Sequence, residues 1–362
     1  MMGDSPVFEP LHIQSHKGMY SAEFLTDDWS VLVNSAKAGT HFLVDARVAK
    51  LYREQLAPVL QRTTTILIHA TEDAKSYEQV GKVIEQLVAN GVRRQHTLVA
   101  IGGGIVQDIT CFISSTLLRG VPWEFFPTTL LSQADSCIGS KSSINLGEVK
   151  NILGTFNPPQ RVVILTAFLQ TLDERDMRSG IGEMLKVHTI AGPAAYDEIA
   201  ANYDALLADQ KVLLGFVRKA LLIKQHYIEE DEFDRGIRNI FNYGHSFGHA
   251  IESATRHAIP HGIAVTMGMD IANFVATRRA LLAPGHFERM HPVLQKNYSA
   301  FQHTPIPLDK LLLALGKDKK NTSDQLGLIF PVGESATVER VFVTPDDSFR
   351  ADLRAYFEEV LA

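Results

Sequence analysis

The sequence runs to 362 residues, 45% hydrophobic and 21% charged, which provides for a sizeable buried core and excludes a disordered or coiled-coil chain. With 35 basic against 41 acidic residues, the formal charge of −6 offers no general attraction to nucleic acid or an anionic membrane, so any anionic partner must meet local Lys and Arg clusters. Two cysteines, Cys111 and Cys137, are too few for a disulfide framework, and neither a basic-then-apolar leader nor a membrane-length apolar run is present; a cytoplasmic protein of roughly two domains is expected.

In chain order, the first half alternates short β-branched runs with helical stretches. HFLVDA precedes the helix-like RVAKLYREQLAPVLQ, and TTTILIHA precedes a helix through SYEQVGKVIEQLVAN that ends at Gly91. HTLVAI leads into Gly102, Gly103 and Gly104 and then IVQDITCFISSTLLR, and RVVIL near 161 reads as another buried strand. This alternation predicts βαβ units around a parallel sheet. From about Asp173 the apolar residues recur at three- and four-residue spacing, through MRSGIGEMLKVHTI, VLLGFVRKALLIKQHYIEE, FNYGHSFGHAIESAT and HGIAVTMGMDIANFVATRRALL. The second half is therefore predicted to be mostly helical, with LGLIFP and ATVERVFV as a small strand pair near the end.

Three features could carry chemistry. The glycine triplet after a buried strand lets backbone approach a ligand, and the next helix offers free N–H groups to a phosphate. GGGIVQD has Gln107 where a G-x-G-x-x-G motif has its last glycine, so taken alone it is equally a tight strand-to-helix turn. His245 and His249 stand one helical turn apart, with His261 following Pro260; three imidazoles within 17 residues favour a metal over a structural role, and the spacing leaves open which carboxylate completes the site. HSFGH has Ser246 where a zinc-protease helix has its glutamate. Arg119, Lys141, Lys150, Lys186, Lys224, Arg238 and the KDKK run at 317–320 are scattered cations, each by itself as readily a solvated surface group. Lys186, three residues after Glu183, reads equally well as half of an exposed helix pair.

The pieces GGGIVQD, LLRG, PTTLLSQADS, GSKSSIN, KNILGTF with Pro158, SGIGEMLK, RNIFNYGHSFGHAIE, HGIAVTMGM and KDKK occur in this order. Through them, and over most of its length, the chain resembles the dehydroquinate synthase family of sugar phosphate cyclases. The resemblance implies an N-terminal Rossmann-like nucleotide-binding α/β domain over 1–172 and a C-terminal helical metal- and substrate-binding domain over 173–362. It implies bound NAD and a divalent metal, zinc or else cobalt, and a homodimer. The implied activity is a carbon–oxygen lyase of aromatic amino-acid precursor synthesis. It would convert 3-deoxy-D-arabino-heptulosonate 7-phosphate to 3-dehydroquinate by transient oxidation, phosphate elimination, reduction and aldol closure.

Carried over residue by residue, the resemblance makes Glu183, His245 and His261 the metal ligands and His249 a proton relay near the phosphate. Lys141, Asn151 and Arg119 match phosphate contacts, Arg119 reaching in from a partner subunit. Lys186, Lys224, Arg238, Asn242 and Lys319 match groups holding carboxylate and hydroxyls. Asp45, Glu72, Lys75, Gly103, Gly104, Asp108, Thr128, Thr129, Asp135 and Lys150 match positions that contact NAD. The sequence departs from the family at Gln107 and Ser140, usually glycines, at Asp173, usually proline, and at Ile263, usually a glutamate that could support a metal ligand. These departures keep open a cyclase for a different heptulose or sugar-acid phosphate, and the shared two-domain architecture keeps open a metal-dependent NAD polyol dehydrogenase.

Overall fold

A computed structural model describes residues 8–317, 321–322 and 324–361, and the chain divides into two compact units. One runs to Leu172 and takes in Gln210–Phe233; the other comprises Asp173–Asp209 and the chain from Asp234 onward. A single change of character at 173 therefore misses one segment, because the helix Gln210–Glu230 belongs with the first unit. Its apolar spacing says that it packs, but not against which neighbour. Among the described residues no helix is long and apolar enough to cross a membrane.

The first unit is built on a seven-stranded sheet. Its strands are β1 (Leu11–Ser15), β2 (Gly18–Leu25), β3 (Thr40–Asp45), β4 (Thr65–Ile68), β5 (Thr97–Gly102), β6 (Trp123–Pro127) and, after the hairpin β7 (Lys141–Leu146) and β8 (Val149–Phe156), β9 (Arg161–Leu165), in the order β1-β2-β9-β6-β5-β3-β4. Only β1 and β2 pair antiparallel; the other neighbours are parallel. Helices cover both faces of a parallel sheet, so its central strands read as near-continuous apolar runs. Phe42, Val44, Val99, Ile101, Phe126, Val163 and Leu165 from four of them share one core cluster. The helix Gln210–Glu230 covers the β1 edge: Gln225 Nε2 donates to the His12 carbonyl at 2.8 Å, and the Gln14 N–H to Glu229 Oε1 at 3.0 Å. That occupies backbone groups that an open edge would leave unpaired.

In the second unit the helix His261–Arg278 is the hub, with Gly262 through Ala276 buried on every side. The strands β10 (Leu326–Val332) and β11 (Thr337–Val343) form the small antiparallel pair expected from LGLIFP and ATVERVFV. Two glycines set how closely the hub helix meets its neighbours. A Cβ on Gly262 would lie 1.8 Å from the Ser179 carbonyl oxygen of the helix Glu174–Ile190, and one on Gly268 would lie 2.1 Å from the Gly244 carbonyl at the head of the helix His245–Ala254. No other residue fits at either place.

The hub also carries a buried acid. Asp270 Oδ2 accepts from His291 Nδ1 at 2.8 Å, from the Tyr298 hydroxyl at 2.7 Å and from the Tyr356 hydroxyl at 2.8 Å, joining three helices. The hydrogen bond to Asp270 holds the His291 imidazole above its ordinary value, against the effect of burial. A value raised by folding means that the imidazolium stabilises the fold below the unfolded value of 6.5, and that this contribution fades as pH climbs through the folded value. The melting temperature of the protein is thus expected to fall relative to that of His291→Gln as pH rises above the unfolded value of 6.5. Parallel curves for the two proteins would show that no such linkage exists.

Candidate active site

In the first unit, β5 ends at Gly102 and Gly103 leads directly into the helix Gly104–Thr116, so the helix N-terminus opens at the carboxyl end of a parallel strand. Nucleotides bind at such places in α/β sheets. Around this turn the Thr128 N–H donates to the Gly102 carbonyl at 2.9 Å, and Thr129 Oγ1 lies 2.8 Å from Ser132 Oγ. Asp45 closes β3 by capping the helix Ala46–Leu51, accepting from the Arg47 N–H at 2.7 Å.

A polar network ties the hairpin to this turn. Lys75 Nζ lies 2.7 Å from Asp108 Oδ2 and donates to Asn151 Oδ1 at 2.9 Å. Asn151 Oδ1 also accepts from Ser143 Oγ, its N–H donates to Asn145 Oδ1, and Asn145 Nδ2 donates to Glu72 Oε1. Burial raises Asp108 above the usual carboxylate value, although Lys75 and the Ser143 N–H pull it down. Asn151, which the resemblance groups with Lys141 and Arg119, has its side chain hydrogen-bonded to Lys75 and Ser143. Asp135 Oδ1 pairs with Lys224 Nζ at 2.8 Å within the same unit. Lys141 and Lys150 are exposed on the hairpin, and Arg119 is exposed in a left-handed turn at φ 65°.

In the second unit three helix segments converge. Glu183 and Lys186 lie on the helix Glu174–Ile190, His245 and His249 on His245–Ala254, and His261 opens the hub helix. Glu183 Oε1 is 3.4 Å from His261 Nε2 and 3.7 Å from His245 Nε2, while Oε2 is held by Lys186 Nζ at 2.6 Å. Ring nitrogens of His245, His249 and His261 all lie within 4.8 Å of one another. Both partners of the Glu183–Lys186 pair are buried, at 1% and 2% exposure, so the exposed-pair reading of this spacing is corrected. Arg238 is buried and Asn242 half-buried in the turn Ile237–Asn242 that leads into the His245 helix. Lys319 lies outside the described residues.

The electrostatics favour a cation. Burial alone would raise Glu183, but Lys186, then His245 and His261, hold its carboxyl well below the usual range, so it is ionised. Burial pushes His245 well below its ordinary value despite Glu183, which keeps a ring lone pair available. Burial would also lower His261, but the adjoining carboxylates of Glu183 and Glu252 override it and carry the imidazole up to about 10. Glu252 Oε2 is 3.1 Å from His261 Nδ1, which leaves Nε2 turned toward Glu183.

Two family models match the chain, described as 3-dehydroquinate synthase N-terminal over residues 65–179 and 3-dehydroquinate synthase C-terminal over residues 180–321. A 3-dehydroquinate synthase of Alkaliphilus metalliredigens is 32% identical over 84% of this chain and 86% of its own length, and one of Dictyoglomus turgidum is 35% identical over 81% and 82%. The chain belongs to the 3-dehydroquinate synthase family. A solved 2-epi-5-epi-valiolone synthase of Streptomyces hygroscopicus, with NAD+ and Zn2+ bound, is 28% identical, with a TM-score of 0.76 over 93% of this chain and 95% of that one.

At the four positions where the resemblance leads one to expect another residue, three side chains have a hydrogen-bond partner and the fourth is packed in the core. Gln107 and Ser136 exchange hydrogen bonds, Nε2 to the Ser136 carbonyl at 2.6 Å and Ser136 Oγ to Oε1 at 2.7 Å. Asp173 caps the Glu183 helix, accepting from the Asp176 N–H at 2.9 Å. Ser140 bonds Glu232 at 2.6 Å, and Ile263 fills the core of the hub. The carboxylate beside His261 Nδ1 in this chain is that of Glu252. Sequence reasoning missed Glu252, although it stands seven residues after His245 and three after His249, on the face those imidazoles share.

Proposed function

We propose that this chain is a 3-dehydroquinate synthase, an NAD- and divalent-metal-dependent lyase that cyclises 3-deoxy-D-arabino-heptulosonate 7-phosphate with release of phosphate. The observation that carries the reading is the buried, ionised carboxylate of Glu183 facing the Nε2 atoms of His245 and His261 at 3.7 and 3.4 Å. Glu183 Oε1 is the oxygen that faces both imidazoles, while Lys186 engages Oε2. One carboxylate and two imidazoles form a common catalytic zinc ligand set with positions left for substrate. When bound, the metal supplies Lewis-acid polarisation of a hydroxyl, and NAD a reversible hydride acceptor.

The chain's own groups do the rest. Lys186 holds Oε2 of Glu183 and so determines which oxygen faces the imidazoles, and Glu252 does the same for His261 through Nδ1. His249, exposed beside both rings, is suited to take and return a proton near the substrate phosphate. Lys141, with Arg119 and Asn151, binds that phosphate, while Lys186, Lys224, Asn242 and the late lysine Lys319 hold carboxylate and hydroxyls. The buried guanidinium of Arg238 offers two parallel donors suited to a carboxylated substrate. Asp45, Glu72, Lys75, Gly103, Gly104, Asp108, Thr128, Thr129, Asp135 and Lys150 form the NAD site.

Protein supplied with NAD, a zinc or cobalt salt and the heptulosonate phosphate is expected to release inorganic phosphate with no net gain of NADH. Phosphate release from sedoheptulose 7-phosphate alone would transfer the activity to a different heptulose. NADH accumulating on polyols without phosphate release would replace the lyase with a dehydrogenase.

A further inference from the structure

The turn that precedes Lys141 is held in an unfavourable backbone conformation by a side chain. Ser140 has φ 66°, a left-handed value that serine adopts at a cost, and it follows Gly139 at φ 106°. Ser140 Oγ donates to Glu232 Oε1 at 2.6 Å, and both residues are buried. Glu232 Oε2 accepts from the His16 N–H at 2.7 Å, and His16 Nδ1 lies 3.0 Å from Oε1. The Ser140 carbonyl in turn accepts from the Asn157 N–H at 2.7 Å, closing the far end of the hairpin where Lys141 pairs with Phe156. Glu232 sits two residues past the helix Gln210–Glu230, which carries Lys224. One buried carboxylate therefore joins the turn before Lys141, the β1–β2 turn and the end of the Lys224 helix, all within the first unit.

We infer that Ser140 and Glu232 are positioning residues for anion binding, in which the buried hydroxyl–carboxylate bond holds the strained turn that aims Lys141 at a phosphate. The inference rests on the reading of Lys141 as a phosphate-binding residue. The bond uses the serine hydroxyl, and it works against the cost of the left-handed backbone at this position. Replacement by glycine would remove the strain and the tether together, leaving the turn free to adopt other conformations.

The test is titration of the purified holoenzyme with inorganic phosphate by calorimetry, beside melting temperatures. Ser140→Gly is expected to melt as the parent does yet bind phosphate roughly tenfold more weakly, since misplacing a binding group is costly even where the fold is intact. Glu232→Gln, which keeps an acceptor for the hydroxyl, should retain most of the affinity that Glu232→Ala loses. Lys141→Ala separates the two ideas. If it binds phosphate as the parent does, the reading of Lys141 fails and the proposal falls with it. If Lys141→Ala loses phosphate while Ser140→Gly and Glu232→Ala keep parental affinity, the positioning role alone is overturned.

Discussion

Glu183→Ala is expected to purify without bound metal and to lose about 3–5 kcal/mol of stability, the range for removing one partner of a buried ion pair. Lys186 Nζ lies 2.6 Å from Glu183 Oε2 at 2% exposure, so water cannot take over from the lost carboxylate. The screening that reduces an exposed pair of the same spacing to a few tenths of a kcal/mol is missing here. Metal loss and stability loss can be separated. Replacing the pair together, Glu183→Leu with Lys186→Met, removes the charge imbalance along with the ligand and should recover most of the stability while still binding no metal. Urea unfolding and metal content after dialysis read the two effects. Stoichiometric metal in Glu183→Ala would exclude this carboxylate as a ligand.

Gly262→Ala is the second large effect, and it alters no candidate ligand. The added Cβ would stand 1.8 Å from the Ser179 carbonyl oxygen, a backbone atom that no rotamer change can move aside. The hub helix and the Glu183 helix must separate, which draws His261 away from Glu183. Overpacking of this kind costs about 1–3 kcal/mol or more. Metal affinity should fall by roughly 10–100-fold, as when the supports of a ligand set are disturbed. Gly81→Ala is the control: on the helix Tyr77–Ala89 its Cβ would meet nothing within 4 Å, so stability should rise by up to about 1 kcal/mol with metal affinity unchanged. Parental metal affinity in Gly262→Ala would mean that the helix spacing does not set the ligand geometry.

Much of this site was legible in the residues, and the gaps have physical causes. The strands HFLVDA, TILI, TLVAIG and RVVIL stand out because both faces of a parallel sheet are apolar. β7 and β8 do not, since their hairpin alternates polar residues and is largely exposed. RVAKLYREQLAPVLQ looks like one helix but breaks into Ala46–Leu51 and Ala57–Leu60 with a turn between. Spacing put His245 and His249 on one helical face, but no local pattern tells a buried Glu–Lys pair from a solvated one. That distinction depends on the glycines that bring the hub helix close, and Gly262 reads in sequence as an ordinary residue beside a histidine. Asp173 and Gln107 looked like losses from a pattern until their partners, an N–H three residues on and a serine on the facing turn, were visible.

The excursion of Gln210–Phe233 into the first unit means that the chain crosses between the units three times. A ribosome releasing residues in order therefore cannot complete the first unit at Leu172. The hold of Lys224 on Asp135, and that of Glu232 on Ser140, must wait until Phe233 has emerged and much of the intervening helical segment has already been made. The two halves are for this reason poor units of gene exchange: a crossover near 172 would pair one parent's sheet with the other parent's edge helix, and every contact between them would need to match.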